Sequence, residues 1–138
     1  MSARELTRLT VEPGPDGVLA LAAELPMAIN GEGPALAPLP AGPPDYVDRI
    51  VAAVRPDDPS APLEHNDVAV VVATSGSMGE PRGVLLSGSA LIASAKASDS
   101  RLGGPSRWVM ALPAHHVAGL QVLVRAHLSG IPPIPLDS

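Results

Sequence analysis

The chain has 138 residues and a formal net charge of −5, so it can form one ordinary domain or part of a larger one, and a multidomain assembly is excluded. Hydrophobic residues make up 46% of the sequence and charged residues 17%, which argues against a wholly disordered chain. The absence of Cys excludes disulfides, thiolate metal sites and a Cys nucleophile, and a content of one Trp, one Tyr and no Phe makes nucleic acid an unexpected partner.

The first half of the chain predicts two helices joined by Pro-rich links. Residues 16–25 have helix-forming composition, with an Asp at the first position to cap the helix and a Pro just after the last to stop it. Residues 30–44 are predicted to be a linker without regular pairing, because Pro lacks an N–H donor and restricts the residue before it. Apolar residues at helical spacing predict a second helix over 45–55. Residues 1–67 are therefore interpreted as a Pro-rich region with two helices.

The second half predicts alternating strands and helices. Residues 68–74, VAVVVAT, are apolar and β-branched without alternation, which is typical of a central strand covered on both faces. The later predicted elements are a return strand at 83–86, a helix at 89–102, a buried strand at 108–112, a helix at 117–128 and a strand starting within 131–136. This order predicts an α/β fold with a mixed sheet and flanking helices over 68–138. Such a sheet would expose unpaired edges, so we expect a fragment of a larger domain that can self-associate, for example as a homo-oligomer.

No membrane-spanning segment is predicted. The most apolar run, residues 68–73, is far shorter than the roughly 20 residues that a span needs, and the N-terminus lacks the apolar core of a signal peptide. We therefore expect a cytoplasmic protein. Residues 1–67 carry a net charge of −7 and residues 68–138 a net charge of +2, so an anionic ligand is expected on the second half.

The loop after the predicted central strand has the composition of a polyphosphate-binding loop. Its sequence, TSGSMGEPRG, combines glycines that let the backbone approach an anion, hydroxyls that donate hydrogen bonds and a fixed positive charge. These residues are Gly76, Gly79, Gly83, Thr74, Ser75, Ser77 and Arg82. The spacing does not fit a Walker A motif. Composition alone leaves a Gly/Ser hairpin turn as an equal alternative.

Two segments resemble motifs of one enzyme superfamily. TSGSMGEPRGV is similar to TSGSTGxPKGV, the phosphate-binding signature of the adenylate-forming superfamily of acyl-CoA synthetases, nonribosomal-peptide adenylation domains and luciferases. ALPAHHVAGL resembles LPLFHISGL of the same superfamily, whose histidine borders the carboxylate substrate. Within the superfamily, RLGGP and LPAHHVAGLQVLVRAHLSG look most like the o-succinylbenzoate-CoA ligases of the compact actinobacterial type. The close resemblance extends over residues 68–136 and implies the N-terminal subdomain of an adenylate-forming enzyme.

The resemblance implies an acid–thiol ligase of menaquinone biosynthesis. A carboxylate, here o-succinylbenzoate, would attack the α-phosphate of ATP with Mg²⁺ assisting, and the thiol of coenzyme A would then displace AMP. The positions assigned to phosphate binding by resemblance are Thr74, Ser75, Gly76, Ser77, Gly79 and Arg82. Arg82 and His116 are the implied catalytic residues, with His116 orienting the carboxylate or adenylate, since a carboxylate is already ionised at pH 7 and needs no base.

Two residues depart from the superfamily pattern. Met78 stands where a threonine is usual, so one hydroxyl donor is missing, a loss on the order of 1 kcal/mol if that bond is made in relatives. Arg82 replaces the usual lysine and presents a planar fork in place of a compact ammonium. The positive charge is retained, while its geometry differs.

Other interpretations are compatible with the same residues. Ser77, at the centre of SGSMG, and the downstream His116 could serve a serine hydrolase, although the first glycine of the GxSxG elbow is missing. The superfamily's adenine, magnesium and ribose ligands and its C-terminal lysine lie beyond the matching region. We therefore expect the chain alone to be inactive, and a non-catalytic nucleotide-binding remnant that associates with the missing C-terminal part is a third interpretation. His115 and His116 diverge and lack a suitable partner, so no metal site is expected, and His65 and His127 are interpreted as structural.

Overall fold

The protein is described by a computed structural model covering residues 4–75 and 80–136. Strands and helices alternate along these residues except at the β3–β4 hairpin, which confirms the predicted α/β class. In chain order they are β1 (Leu6–Val11), α1 (Pro15–Asn30), β2 (Ala35–Pro40), α2 (Pro44–Val54), β3 (Val68–Ser75), β4 (Pro81–Ser87), α3 (Gly88–Leu102), β5 (Val109–Met110), α4 (Val117–Ser129) and β6 (Ile134–Pro135). In the described part of the chain, no helix combines the length and apolarity that a bilayer span requires.

The main sheet has the strand order β1-β2-β3-β4. The first three strands are parallel, and β4 returns antiparallel to β3, with Thr74 opposite Arg82. Val70 and Val72 of β3 are fully buried. The predicted central strand and its return strand are therefore confirmed, and the sheet is mixed as expected.

The prediction that residues 30–44 lack regular pairing is wrong, because β2 lies in this segment and all its residues are buried. Its backbone N–H groups point alternately to the two neighbouring strands. Ala35 donates its N–H to the carbonyl of Glu5, just before β1, at 2.9 Å, so the backbone nitrogens of Pro38 and Pro40 face β3. The recorded β2–β3 pairing is correspondingly short, at Leu36 and Val70 alone, whereas the β1–β2 ladder runs over the full strand. The two prolines therefore interrupt only the β2–β3 ladder, and the β1–β2 ladder keeps its hydrogen bonds.

Strand β1 was not predicted from the sequence. Its two ends, Leu6 and Val11, are buried while the residues between them are partly exposed or exposed. Together β1 and β2 place residues of the Pro-rich first half in the same sheet as β3. One hydrophobic core consequently contains side chains from both halves, such as Leu21 and Leu25 of α1 with Val70 of β3.

Helix α1 is longer than predicted at both ends. The helix continues through Pro26, which was expected to stop it, and ends at Gly31 in the left-handed conformation. Burial of Leu25 and Ala28 on either side of Pro26 offsets the hydrogen bond that the proline removes. The predicted capping role of Asp16 is also wrong, because Gly14 occupies the N-cap position without a side-chain bond.

The other three helices confirm the predicted ones to within one residue at each end. Helix α3 begins with a Ser87 hydroxyl cap, which accepts the Ala90 N–H at 3.1 Å. The pattern of this helix places Leu91, Ile92, Ala95 and Leu102 on one apolar face. Leu91 and Ala95 are buried as this pattern predicts, whereas Leu102 is exposed. The predicted buried strand at 108–112 is reduced to the two residues of β5.

Gln121 and Arg125, two polar residues four positions apart in α4, take part in packing. Gln121 accepts a hydrogen bond from the Ser94 hydroxyl of α3 at 3.1 Å. The Arg125 guanidinium lies 5.0 Å from the centre of the Trp108 ring, within cation–π range. Both side chains are half-buried, because α3 and the segment before β5 cover this face of α4.

Arg4 is a buried arginine that joins three elements through backbone carbonyls. Its Nε donates to the carbonyl of Gly33 at 3.0 Å, and its two terminal nitrogens donate to Val68 at the start of β3 and Ala28 in the last turn of α1. Burial lowers the pKa of the guanidinium. The cation also lies at the C-terminal end of α1, where the helix dipole favours positive charge.

Candidate functional site

The candidate site lies at the carboxyl edge of the parallel strands. Strands β1, β2 and β3 are parallel, so their last residues, Val11, Pro40 and Ser75, meet at one edge of the sheet. In open α/β sheets, ligands bind in the crevice outside this edge. The loop that resembles a phosphate-binding signature begins there, directly after β3.

A cavity of about 530 Å³ opens at the same edge. It lies between the loops that follow β1 and β2 and the segment that joins β5 to α4. Its wall is mostly apolar, including Val11, Val18, Met110, Leu112 and Leu136, and two titratable residues also line it, Glu12 and His115. A mostly apolar cavity with few polar groups is the usual form of a small-molecule site.

The start of α4 fixes the position of the two adjacent histidines. His116 is the N-cap residue of α4, its N–H donates to the Pro113 carbonyl at 3.2 Å, and its carbonyl accepts the Leu120 N–H at 2.9 Å. Gly119, in the first turn of the helix, packs directly against the backbone of Pro113. A Cβ atom at Gly119 would lie 2.0 Å from the Pro113 oxygen, so this approach requires glycine.

His115 and His116 have different surroundings. His115 is half-buried and lines the cavity, whereas His116 is exposed and does not. Their rings meet edge to face, with centroids 4.4 Å apart and an interplanar angle of 83°. His115, which the sequence had not singled out for function, therefore contributes to the cavity wall and also contacts the ring of His116. The signal available in the sequence was its position, since the superfamily segment LPLFHISGL has an aromatic residue there.

The buried position of His115 predicts a pH-dependent stability. Burial and, to a smaller extent, the charge of His116 lower the pKa of His115 to about 4. In the unfolded chain the pKa is about 6.5, so the unfolded state binds more protons between these values. The pH dependence that His115 adds to the free energy of unfolding is therefore absent above pH 6.5, and the protein loses stability as the pH drops from 6.5 towards 4. We expect a loss on the order of 1 kcal/mol, because solvent screens the exposed half of the ring.

A comparison of the parent chain with His115→Phe checks this prediction. Phenylalanine keeps the ring but cannot be protonated, and all other titrating groups are common to both proteins. Urea unfolding at pH 7 and pH 4.5 should show a smaller loss of stability for the variant. An identical pH dependence in the two proteins would contradict a lowered pKa for His115.

On the phosphate side, the structure describes the two ends of the loop. Thr74 is partly buried at the end of β3, and Arg82 is exposed in β4 directly opposite, so the hairpin brings these two predicted residues together. Ser75 is opposite Pro81 in the same ladder. The predicted phosphate ligands Gly76, Ser77 and Gly79, together with Met78, lie outside the described residues.

The site residues thus form two groups at the same edge of the fold. Neither Thr74 nor Arg82 lines the cavity, and His116 does not line it either but contacts the ring of His115, which does. His65 and His127 are exposed, and their interpretation as structural residues stays a prediction. Within residues 4–75 and 80–136, no three imidazole or carboxylate side chains are close enough to hold a metal ion.

Comparison with known proteins places these features in a family. The sequence model described as "AMP-binding enzyme" matches residues 14–136. The probable 2-succinylbenzoate–CoA ligase of Mycobacterium tuberculosis is 38% identical over 125 residues, covering 91% of this chain and 30% of that protein. The 2-succinylbenzoate–CoA ligase of Bacillus velezensis is 35% identical over 89 residues, covering 62% of this chain and 18% of that protein. The chain thus spans less than a third of the length of these curated relatives.

Solved structures show the same fold at low sequence identity. The N-terminal subdomain of NpsA from Klebsiella oxytoca, in complex with 3-hydroxyanthranilyl-AMSN, matches with a TM-score of 0.71 at 17% identity, covering 99% of this chain and 41% of that chain. The o-succinylbenzoate coenzyme A synthetase of Bacillus subtilis, in complex with ATP and magnesium, matches with a TM-score of 0.66 at 17% identity, covering 96% of this chain and 35% of that chain. The sequence match over residues 14–136 and the shared α/β fold lead to one conclusion: the chain belongs to the AMP-binding enzyme family.

Proposed function

We propose that this chain is the N-terminal part of an AMP-forming ligase that joins a carboxylic acid to coenzyme A. The observation that carries the proposal is the match to the AMP-binding enzyme family over residues 14–136, which includes both the phosphate-type loop and the histidine segment. Relatives named 2-succinylbenzoate–CoA ligase support o-succinylbenzoate as the acid and menaquinone biosynthesis as the pathway. We further propose a cytoplasmic location, where ATP and coenzyme A are available.

The proposed reaction has two steps. In the first, a carboxylate oxygen bonds to the α-phosphorus of ATP and the bond to pyrophosphate breaks, which gives an acyl-adenylate. In the second, the sulfur of coenzyme A bonds to the acyl carbon, the thiol proton goes to solvent and AMP leaves. Negative charge builds up on the departing pyrophosphate in the first step, so donors held in position at the phosphates favour it.

Arg82 and Thr74 are the described residues that can supply such donors. The β3–β4 ladder holds them opposite each other at the base of the loop. A guanidinium beside the phosphates offers charge-assisted hydrogen bonds, and the threonine hydroxyl adds a neutral donor. Magnesium, when bound with ATP, would supply further positive charge for this chemistry.

We assign the acid to the histidine side of the site. The cavity offers apolar walls for the body of an organic acid, and His115 keeps a neutral ring there at pH 7 because its pKa is lowered to about 4. His116, exposed beside it, can orient the carboxylate or the adenylate by hydrogen bonding. Because this chain spans less than a third of the length of the curated relatives, we expect the chain alone not to complete either step.

Nucleotide binding to the chain itself tests the phosphate assignment. Titration of ATP, followed by amide NMR shifts, should affect residues 74–83 and give a Kd no tighter than the millimolar range. Arg82→Ala should weaken binding about tenfold, because one charge-assisted contact of about 1.4 kcal/mol is lost. Arg101→Ala, which removes an exposed cation from the last turn of α3, serves as the matched control and should leave the Kd unchanged.

Three results would contradict these expectations. Two of them are shifts confined to another part of the chain and equal effects of the Arg82 and Arg101 variants. The third, saturable binding in the micromolar range, would contradict the expectation that the site is incomplete in this chain, and not the location of the phosphates. Covalent labelling of Ser77 by a fluorophosphonate would indicate the serine hydrolase instead. For the acid, ATP–pyrophosphate exchange by a chimera of residues 1–136 with the remaining part of the Mycobacterium tuberculosis relative should depend on o-succinylbenzoate.

A further inference from the structure

We propose that Glu12 keeps carboxylate groups out of the cavity at the carboxyl edge of the sheet, so that the cavity admits only the uncharged body of an acid. Glu12 is in this sense a specificity-determining residue. This role rests on the proposed ligase function, which assigns an organic acid to the cavity. It adds the direction in which the acid lies and the end of the cavity from which a second carboxylate is excluded.

The charge of the cavity wall is negative. Among the described residues that line it there is no lysine or arginine, and Glu12 is the one carboxylate. His115, the other titratable residue of the wall, has a neutral ring at pH 7 because its pKa is lowered to about 4. A glutamate side chain is ionised at pH 7. The described wall therefore offers no counter-ion to a carboxylate and repels it through Glu12.

The two helices that begin at the cavity differ in charge at their first turns. Gly14, the N-cap of α1, lines the cavity, and α4 begins just after the lining residue His115. The N-terminal end of a helix favours negative charge. Asp16 lies in the first turn of α1 and Glu12 just before it, whereas the first turn of α4 has no acidic residue. A substrate carboxylate is therefore favoured at the start of α4 and disfavoured at the start of α1.

An acid bound at the cavity accordingly has one favoured orientation. Its reacting carboxylate lies at the start of α4, beside the exposed His116. Its apolar body extends into the cavity towards Val18 of α1 and Glu12. A second carboxylate must leave the body in another direction, away from α1. For a dicarboxylic acid such as o-succinylbenzoate, the ring and the connecting carbons would then occupy the cavity.

Three benzoates of similar length test this role of Glu12 on the 138-residue chain itself. 4-Methylbenzoate ends in an apolar group, terephthalate in a second carboxylate and 4-(aminomethyl)benzoate in an ammonium group. Each is titrated at pH 7, and amide NMR shifts are followed at residues 110–115. 4-Methylbenzoate should bind at least about fivefold more tightly than terephthalate, because the second carboxylate would face Glu12. Intermolecular NOEs from its methyl group should reach Val18.

The Glu12→Gln variant separates the charge of this residue from its shape. It should bind terephthalate about threefold more tightly than the parent and 4-(aminomethyl)benzoate about threefold more weakly, a modest change because solvent screens an exposed carboxylate. The Kd of 4-methylbenzoate should stay the same. Asp16→Asn is the matched control, since Asp16 is also exposed at the start of α1 but does not line the cavity, and it should leave all three Kd values unchanged.

Circular dichroism establishes that both variants keep the fold. The role of Glu12 is refuted if terephthalate binds the parent as tightly as 4-methylbenzoate does, or if Glu12→Gln and Asp16→Asn have equal effects. It is also refuted if the methyl group of 4-methylbenzoate contacts His116 in place of Val18, or if no benzoate shifts residues 110–115. None of these measurements uses ATP or coenzyme A, so their outcome is separate from that of the ATP–pyrophosphate exchange that tests the ligase.

Discussion

Replacing Arg4 by methionine is expected to lower the free energy of unfolding by about 3 kcal/mol. Arg4 donates to carbonyls of Ala28, Gly33 and Val68, which belong to three different segments. Methionine can fill much of the space but offers no donor, so these buried oxygens would lose their partner. The charge at the C-terminal end of α1 would be lost as well. Urea unfolding followed by circular dichroism measures the change.

Two further variants make the Arg4 prediction specific. Arg4→Lys should also destabilise the protein, by about 2 kcal/mol, because a single ammonium cannot reach carbonyls that the planar guanidinium bonds in different directions. Arg8→Met is the control, since Arg8 is an exposed arginine in the adjacent strand β1, and a change within about 0.5 kcal/mol is expected. Equal effects at positions 4 and 8 would show that the hydrogen bonds of Arg4 contribute little.

Gly119→Ala should destabilise the protein by about 2 kcal/mol and displace the segment that carries the histidines. Alanine favours a helix by about 1 kcal/mol over glycine, so propensity alone predicts stabilisation. At this position, however, the new Cβ atom would lie 2.0 Å from the oxygen of Pro113 and 2.7 Å from its carbonyl carbon. The backbone of Pro113 or the start of α4 must therefore move, and His115 and His116 must move with it.

Unfolding by urea and the imidazole NMR resonances measure the two consequences of Gly119→Ala. Gly33→Ala is the matched control, because a Cβ atom there would have only an ordinary contact, at 3.8 Å from the methyl group of Met27. The control should change the stability by less than about 0.5 kcal/mol and leave the histidine resonances in place. A stabilised Gly119→Ala protein with unchanged histidine resonances would mean that the helix start is not seated on Pro113.

Sequence motifs predicted part of the candidate site. Resemblance identified the phosphate-type loop and the histidine segment, and the structure places the hairpin of Thr74 and Arg82 at the carboxyl edge of the sheet. The roles of these residues, and that of His116, stay predictions. The sequence could not separate His115 from His116, because the direction of two adjacent side chains depends on how the first turn of α4 is seated. Gly119 packs closely on Pro113 at this helix start, and the local sequence pattern does not predict such a contact between a helix and the preceding loop.

The errors in the first half of the chain have a common physical cause. Local signals identified α2, α3, α4 and β3, whose apolar residues repeat with a clear period or in an uninterrupted run. The same signals failed at Pro26, and at Pro38 and Pro40. They take account of the backbone hydrogen bond that each proline removes, but not of the packing that surrounds it. Burial of Leu25 and Ala28 stabilises α1 on both sides of Pro26. In β2, the nitrogens of Pro38 and Pro40 face β3, with which β2 has the shorter ladder.

The amino-acid sequence by itself therefore determined the α/β class, the central Val-rich strand, three of the helices and the family to which the chain belongs. These follow from local periodicity and from motifs whose residues are close together along the chain. Only the tertiary structure decided that β1 and β2 complete the sheet, that Arg4 joins α1 to β3 and that His115 lines the cavity. Each of these depends on contacts between residues far apart in sequence or on close packing between elements, and neither composition nor periodicity contains that information.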